Sequence, residues 1–194
     1  MPRIEDRSGR NVRVDPDSEA LRVTLYDTAG NAAYDDEGAL VTIDYAHHEI
    51  HDGNHYIASQ AVDLGNGASR QVAIVTGANE VHVLFSVITE AEGDFTLYEG
   101  ATWDAPGTGI AEINRKRSST NTATMAVYYT PTSAATGSAT LLQTKHWGSG
   151  KTTGADVRSS NEFILKASTN YLFTITNDTT SNNFITWWLD WYEE

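Results

Sequence analysis

The chain is 194 residues long and carries 26 acidic against 13 basic side chains, a formal net charge of −13 at pH 7. That balance argues against general nucleic-acid binding, because no cationic excess exists to displace phosphate counterions. Cysteine is absent, which excludes disulfides, thiolate zinc sites, iron–sulfur clusters and cysteine nucleophiles.

The length suits one domain with or without an appended arm. The first stretch, MPRIEDRSGRNVRVDPDSEA, has no apolar run and no hydrophobic period, so it does not read as a secretory signal. Arginine is concentrated there: Arg3, Arg7, Arg10, Arg13 and Arg22 are five of the nine in the chain. Residues 1–20 are therefore expected to be a basic arm, with Arg3, Arg7, Arg10 and Arg13 anchoring it to another protein surface. The other basic residues include only four lysines. Low lysine, many carboxylates and abundant Thr and Ala resemble proteins adapted to concentrated salt, where screening tames self-repulsion.

From residue 21 the apolar period is two. LRVTLYD (21–27), ALVTIDY (39–45), HYIASQAV (55–62), QVAIVT (71–76), VHVLFSVIT (81–89) and DFTLYE (94–99) alternate in this way. So do ATMAVYYT (123–130), NEFILKA (161–167), YLFTITN (171–177) and FITWWLDW (184–191). These runs are rich in β-branched and aromatic residues and are separated by Gly, Asn, Asp and Ser. Residues 21–194 are therefore expected to form an all-β domain, an antiparallel β-sandwich of jelly-roll-like form. The stretches 100–120 and 132–160 exceed hairpin length and read as long loops. None of the apolar runs is long enough to span a bilayer, and a soluble protein made in a cytoplasm is expected.

Four of the six histidines fall in DYAHHEIHDGNHY (44–56). Its DGN predicts a hairpin turn, with His51 and His55 on opposite arms and His47 further up the first. His47, His51 and His55 are the candidate metal ligands, with Glu49 on the His47 side. No third converging ligand is fixed by the spacing and no H-E-x-x-H is present, so a polar hairpin or subunit contact is the leading reading and a metal site the minority one. The string GSGKTT (148–153) copies the end of a P-loop, but Lys145 stands where its first glycine belongs and the flanks are polar, so it reads as a loop. No cofactor is expected. Catalysis has little support: there is no G-x-S-x-G elbow, and carboxylates such as Asp94, Glu99 and Asp104 are frequent enough to pair by chance.

Trp103 and Trp147 fall in the two long stretches and are the candidate stacking platforms for a glycan. The closing TWWLDWYEE places Trp187, Leu189 and Trp191 on one face of a strand and Trp188, Asp190 and Tyr192 on the other. Aromatics on both faces predict burial on both sides, so Trp187, Trp188, Trp191 and Tyr192 are expected at a subunit interface.

As a set, DYAHHEIHDGNHY (44–56), FTLYEGATWDAPGTGIAEINRKRSS (95–119), YYTPTSAATGSAT (128–140), NEFILKASTNYLFTITNDT (161–179) and LDWYEE (189–194) resemble a family of tailed-virus virion proteins. Those proteins decorate or cement icosahedral heads, and the resemblance spans roughly residues 40–194. It implies a jelly-roll-like sandwich without enzymatic activity, assembled as a symmetric oligomer on the outer surface of a capsid. The basic arm would then hold the major capsid protein, with neither nucleic acid nor membrane as partner. A trimer is expected, with a pentamer as the alternative, because odd-order capsid sites favour cyclic assemblies. The acidity and low lysine suit a virus of a salt-loving host. The rival reading is a host-recognition module, a carbohydrate-binding turret or fibre domain of the virion.

Overall fold

The computed structural model describes residues 13–14, 21–22, 45–148 and 162–194. The chain divides into two compact units, Met1–Asp44 and Tyr45–Glu194. In the first, strand β1 (Arg13–Val14) pairs antiparallel with β2 (Leu21–Arg22). Leu21 and Arg22, expected to open the sandwich, therefore pair within the N-terminal unit. Arg3, Arg7 and Arg10 lie outside the described residues, as do residues 23–44 of the first two alternating runs.

The second unit opens with helix α1 (Tyr45–Asp52), followed by β3 (His55–Leu64), β4 (Ser69–Val75), β5 (Val81–Thr89) and β6 (Gly93–Glu99). Short strands β7 (Thr108–Ile110), β8 (Ile113–Asn114) and β9 (Ala126–Tyr129) come next. The chain ends with β10 (Thr140–Trp147), β11 (Phe163–Leu165), β12 (Asn170–Asn177) and β13 (Asn183–Glu193). Two sheets pack face to face as an antiparallel β-sandwich, with strand orders β10-β6-β12-β4-β9-β7 and β11-β5-β13-β3-β8.

The pairing is nested. β3 pairs with β13, β4 with β12, β5 with β11 and β6 with β10, always antiparallel. The unit is thus one long hairpin of paired segments, rolled so that successive pairs alternate between the sheets. The roll is closed by β13 against β5 and by β12 against β6. Strands β7 to β9 belong to the tip of that hairpin and extend both sheets beyond β3 and β4.

Alternation supplies the core. Val81, Val83, Phe85 and Val87 of β5 meet Phe95 and Leu97 of β6, Tyr171, Phe173 and Ile175 of β12, and Ile185, Trp187, Leu189 and Trp191 of β13. Phe173 lies at its centre, edge-on to Phe85 and Trp187 at ring separations of 5.8 and 5.1 Å. Trp187 and Trp191 are fully buried in this single subunit, which corrects their expected placement at a subunit interface. Their large rings fill the sandwich itself.

The outer face of the six-stranded sheet is partly covered by its own long segment. Ala73, Ala101 and Leu172 form a second cluster, against which Trp103, Tyr128, Ala134 and Ala139 pack. Bridges Thr102–Ala135 and Ala105–Thr132 hold this flap down. The stretch 132–160, read as a loop, contains β10, an edge strand. A bulge between Leu141 and Gln143 and the placement of Lys145 opposite the buried Phe95 explain why its alternation is hard to see. Both features also protect an edge from pairing with other chains. Burial holds the Lys145 ammonium below its ordinary pKa.

Where the chain passes from β11 to β12, Lys166 Nζ donates to Glu99 Oε1 at 2.6 Å and the Tyr171 hydroxyl donates to Glu99 Oε2 at 3.0 Å. The Lys166 bond leads in holding the Glu99 carboxyl below its usual pKa, against a smaller opposing effect of burial. A depressed carboxylate stabilises the fold above its unfolded pKa and loses that contribution as pH falls through the folded value. The Tm difference between wild type and Glu99→Gln is accordingly expected to shrink as pH is lowered from about 6 to about 3. In the core, Phe173→Ala is expected to cost about 3–5 kcal/mol in chemical denaturation. Its outward neighbour Thr174→Ala should cost no more than about 1 kcal/mol.

Candidate interaction surface

The histidine-rich stretch forms α1, not the expected hairpin. Eight residues are too few and too polar to show a helical apolar stripe, and Asp-Gly-Asn serves a helix end as well as a turn. Gly53 adopts φ +80°, the left-handed conformation that closes a helix, and Gly53 N and Asn54 N both donate to the Glu49 carbonyl at 3.0 and 2.9 Å. A side chain at Gly53 would also run into Ser119.

This end is buckled to the tip of the rolled hairpin. Asn114 Nδ2 donates to Gly53 O at 2.7 Å, Arg115 N donates to His55 O at 2.8 Å, and Lys116 Nζ donates to His51 O. The cluster INRKR (113–117) thus earns its place by clasping the helix.

His47, His51 and His55 do not converge. His47 and His51 are one turn apart on α1, with Nε2 atoms 3.1 Å from one another. His55, at the start of β3, is buried and engaged elsewhere: Nδ1 meets the Ala46 carbonyl at 2.9 Å and Nε2 meets Asp190 Oδ1. Arg115 Nη1 donates to the same Asp190 carboxylate at 3.0 Å. His55 therefore locks α1 to β13. The donors that do gather on α1 are His48, Glu49 and Asp52, with His48 Nδ1 3.5 Å from each carboxylate.

Tyr192 is the aromatic hub of this end. It stacks on His82 at 4.5 Å, donates or accepts at His82 Nδ1 at 2.9 Å, and meets Tyr45 edge-on at 5.7 Å. Burial, with Glu162 and Glu194 nearby, pushes its phenol well above the ordinary tyrosine range. Tyr45, bonded to Glu194, is pushed up to about 12. Tyr192, expected at a subunit interface, is instead buried within this subunit, covered by these rings.

Beside the hub lies a cavity of about 740 Å³ whose lining includes Glu49, Asn54, Asn121, Thr124, Glu193 and Glu194. Two of its carboxylates, Glu49 and Glu193, are buried, and the second is structural. Glu193 accepts from Thr124 N, Thr124 Oγ1 and Met125 N at 2.7 to 2.9 Å, and from Trp191 Nε1 at 3.2 Å.

The other feature is an open face. On the outside of the five-stranded sheet, Leu84, Ile88, Phe184 and Ile164 are 38, 43, 47 and 57% exposed. Trp188 is half-buried among them, opposite Ser86 and diagonal to both Leu84 and Ile88. Such diagonal neighbours are within reach of an aromatic ring. The band is bounded by Asp63 and Glu90 at one end and by Asp190, Arg115 and His82 at the other. Of the residues expected at a subunit interface, Trp188 is the one this face presents outward.

Of the expected glycan platforms, Trp147 is not presented and Trp103 is presented only in part. Trp147 is 5% exposed and belongs to the main core, because the end of β10 turns it inward beside Gly93. Trp103 is half-buried as the lid over Ala73 and Leu172. The chain matches no protein-family model, no curated protein and no solved structure.

Glu193→Ala strands two backbone amides and an indole N–H inside the fold, which is expected to cost more than about 2 kcal/mol. Native-state hydrogen exchange should show protection lost at Thr124 and Met125, and Glu193→Gln, which keeps one acceptor oxygen, should recover part of it.

Proposed function

We propose that this chain is a structural virion protein that decorates the outer surface of an icosahedral capsid and stabilises it by bridging major capsid protein subunits. The observation that carries the reading is the apolar band around Trp188, a solvent-facing patch of Leu, Ile, Phe and Trp with a charged border. A hydrophobic centre inside a polar rim is the anatomy of a protein–protein interface. The reading assigns that face to self-association, with a homotrimer favoured over a pentamer.

The topology supports the same reading. Nested pairs β3–β13, β4–β12, β5–β11 and β6–β10, rolled into two sheets, support a jelly-roll reading of the sandwich, an architecture used by capsid and lectin domains alike. Fold alone does not choose between those uses. The burial of Trp147 and the covering role of Trp103 weigh against the lectin-like alternative, which needs rings offered to a sugar. The resemblance of its ordered motifs to those of capsid-decorating proteins favours the first. In this scheme the N-terminal unit, with Arg3, Arg7, Arg10 and Arg13, is the capsid anchor, and several arms on one oligomer gain avidity. The chain acts mechanically, without catalysis, and binding only the assembled shell stabilises it by mass action.

Native mass spectrometry of the purified protein is expected to give a cyclic oligomer. Trp188→Glu should weaken self-association by about 2 kcal/mol or more, the scale of an interface hot spot, while leaving the circular dichroism unchanged. Deleting residues 1–22 should leave the oligomer intact and lower occupancy on particles. A wild-type monomer at micromolar concentration, or full occupancy by the truncated chain, would overturn the assignment.

A further inference from the structure

A second constellation lies on the outer face of the six-stranded sheet, on strands distinct from those of the helix-capped end. Asp94 near the start of β6 and His146 near the end of β10 are direct cross-strand partners. Asp178 follows β12, whose Asn177 is registered on Gly93. His146 Nδ1 is 2.6 Å from Asp94 Oδ1 and 3.9 Å from Asp178 Oδ2, and one ligating atom from each residue falls within 4.8 Å of the others.

We propose that Asp94, His146 and Asp178 form a binding site for a single first-row divalent transition-metal ion of the zinc class. The donor chemistry is one imidazole and two carboxylates, a set that borderline ions accept and that all-oxygen calcium or magnesium sites do not use. Three protein ligands leave a coordination position open.

The site is positioned by structure that needs no metal. Sheet register fixes Asp94 and His146 on one face. Asp178 is presented by a turn whose anchor, Asn177, is fully buried. The Asn177 amide donates to the Leu64, Gly65 and Ser181 carbonyls at 2.7 to 2.8 Å and its oxygen accepts from Thr179 N at 3.0 Å. Asp178 N in turn donates to Glu92 O at 3.2 Å. Such support for the liganding side chains is what a metal site requires.

Electrostatics point the same way. Asp94 and Asp178 both face the His146 ring in ion-pair range, so two carboxylates converge on one imidazole. A divalent cation held between them would offset the mutual repulsion of the two carboxylates. All three ligand side chains are at least part-exposed, so an ion has an entry path.

Calorimetric titration of the full chain with zinc chloride tests the assignment. One saturable site is expected, together with a zinc-dependent rise in Tm. His146→Ala, Asp94→Asn and Asp178→Asn should each weaken binding at least about tenfold, the loss that even an outer-shell contact brings, with unchanged circular dichroism. The double variant His47→Ala/His51→Ala is the control for the pair on α1 and should bind zinc as wild type does. Absence of saturable binding, or binding lost in that double variant and retained in His146→Ala, would overturn the proposal.

Discussion

The sandwich depends on its last strand. β13 lies between β3 and β5 in the five-stranded sheet, so the earlier strands of that layer are joined through a segment at the end of the chain. Its inward residues Ile185, Trp187, Leu189 and Trp191 are each no more than 1% exposed. Both of its ends hold other elements as well. Asn183 accepts from Glu90 N and Ala91 N at 3.2 and 3.1 Å and donates to Glu92 O at 3.1 Å, while Glu193 holds residues 124 and 125. Such non-local closure is slow, because the loop-closure entropy is lost before the contacts that offset it can form. It also means that the two interior layers and the turns at both ends are set by one register.

Much of this was legible in the sequence, and the physics explains which parts. A half-buried antiparallel strand must alternate, so β3, β4, β5, β6, β12 and β13 stood out as runs of period two. Short edge elements need not alternate. β7 and β8 bury too little to leave a pattern, and in β10 the bulge after Leu141 and the inward-facing Lys145 break it. Helix α1 was hidden for a different reason: Asp-Gly-Asn carries the same left-handed glycine whether it closes a helix or turns a hairpin, and composition does not distinguish the two.

The sites were less legible than the fold. His47 and His51 stand out by spacing, but their neighbour His55 is taken by Asp190, far along the chain. Asp94, His146 and Asp178 have no shared local signature, since sheet register alone brings β6, β10 and the turn after β12 together. Trp147 shows the same limit from the other side. A tryptophan in a stretch rich in Gly, Ser and Thr reads as exposed, and only its cross-strand partner Gly93, which leaves room for a large ring, reveals that it points inward.

The exposed band around Trp188 sits on a chain of net charge −13, and the two properties oppose each other in a defined way. Apolar contact favours bringing copies together, while like charge keeps them apart through a long-range field that salt screens within about 8 Å at physiological ionic strength and about 3 Å at 1 M. Raising the salt therefore removes the repulsion and leaves the hydrophobic attraction in place, or strengthens it where the salt is excluded from the surface. Lowering it has the opposite effect, because sixteen of the carboxylates lie on the same unit as the band. Under the proposed self-association, an acidic surface with few lysines around an apolar patch couples assembly to ionic strength: the patch supplies the attraction, and the charge sets the salt concentration at which the attraction prevails.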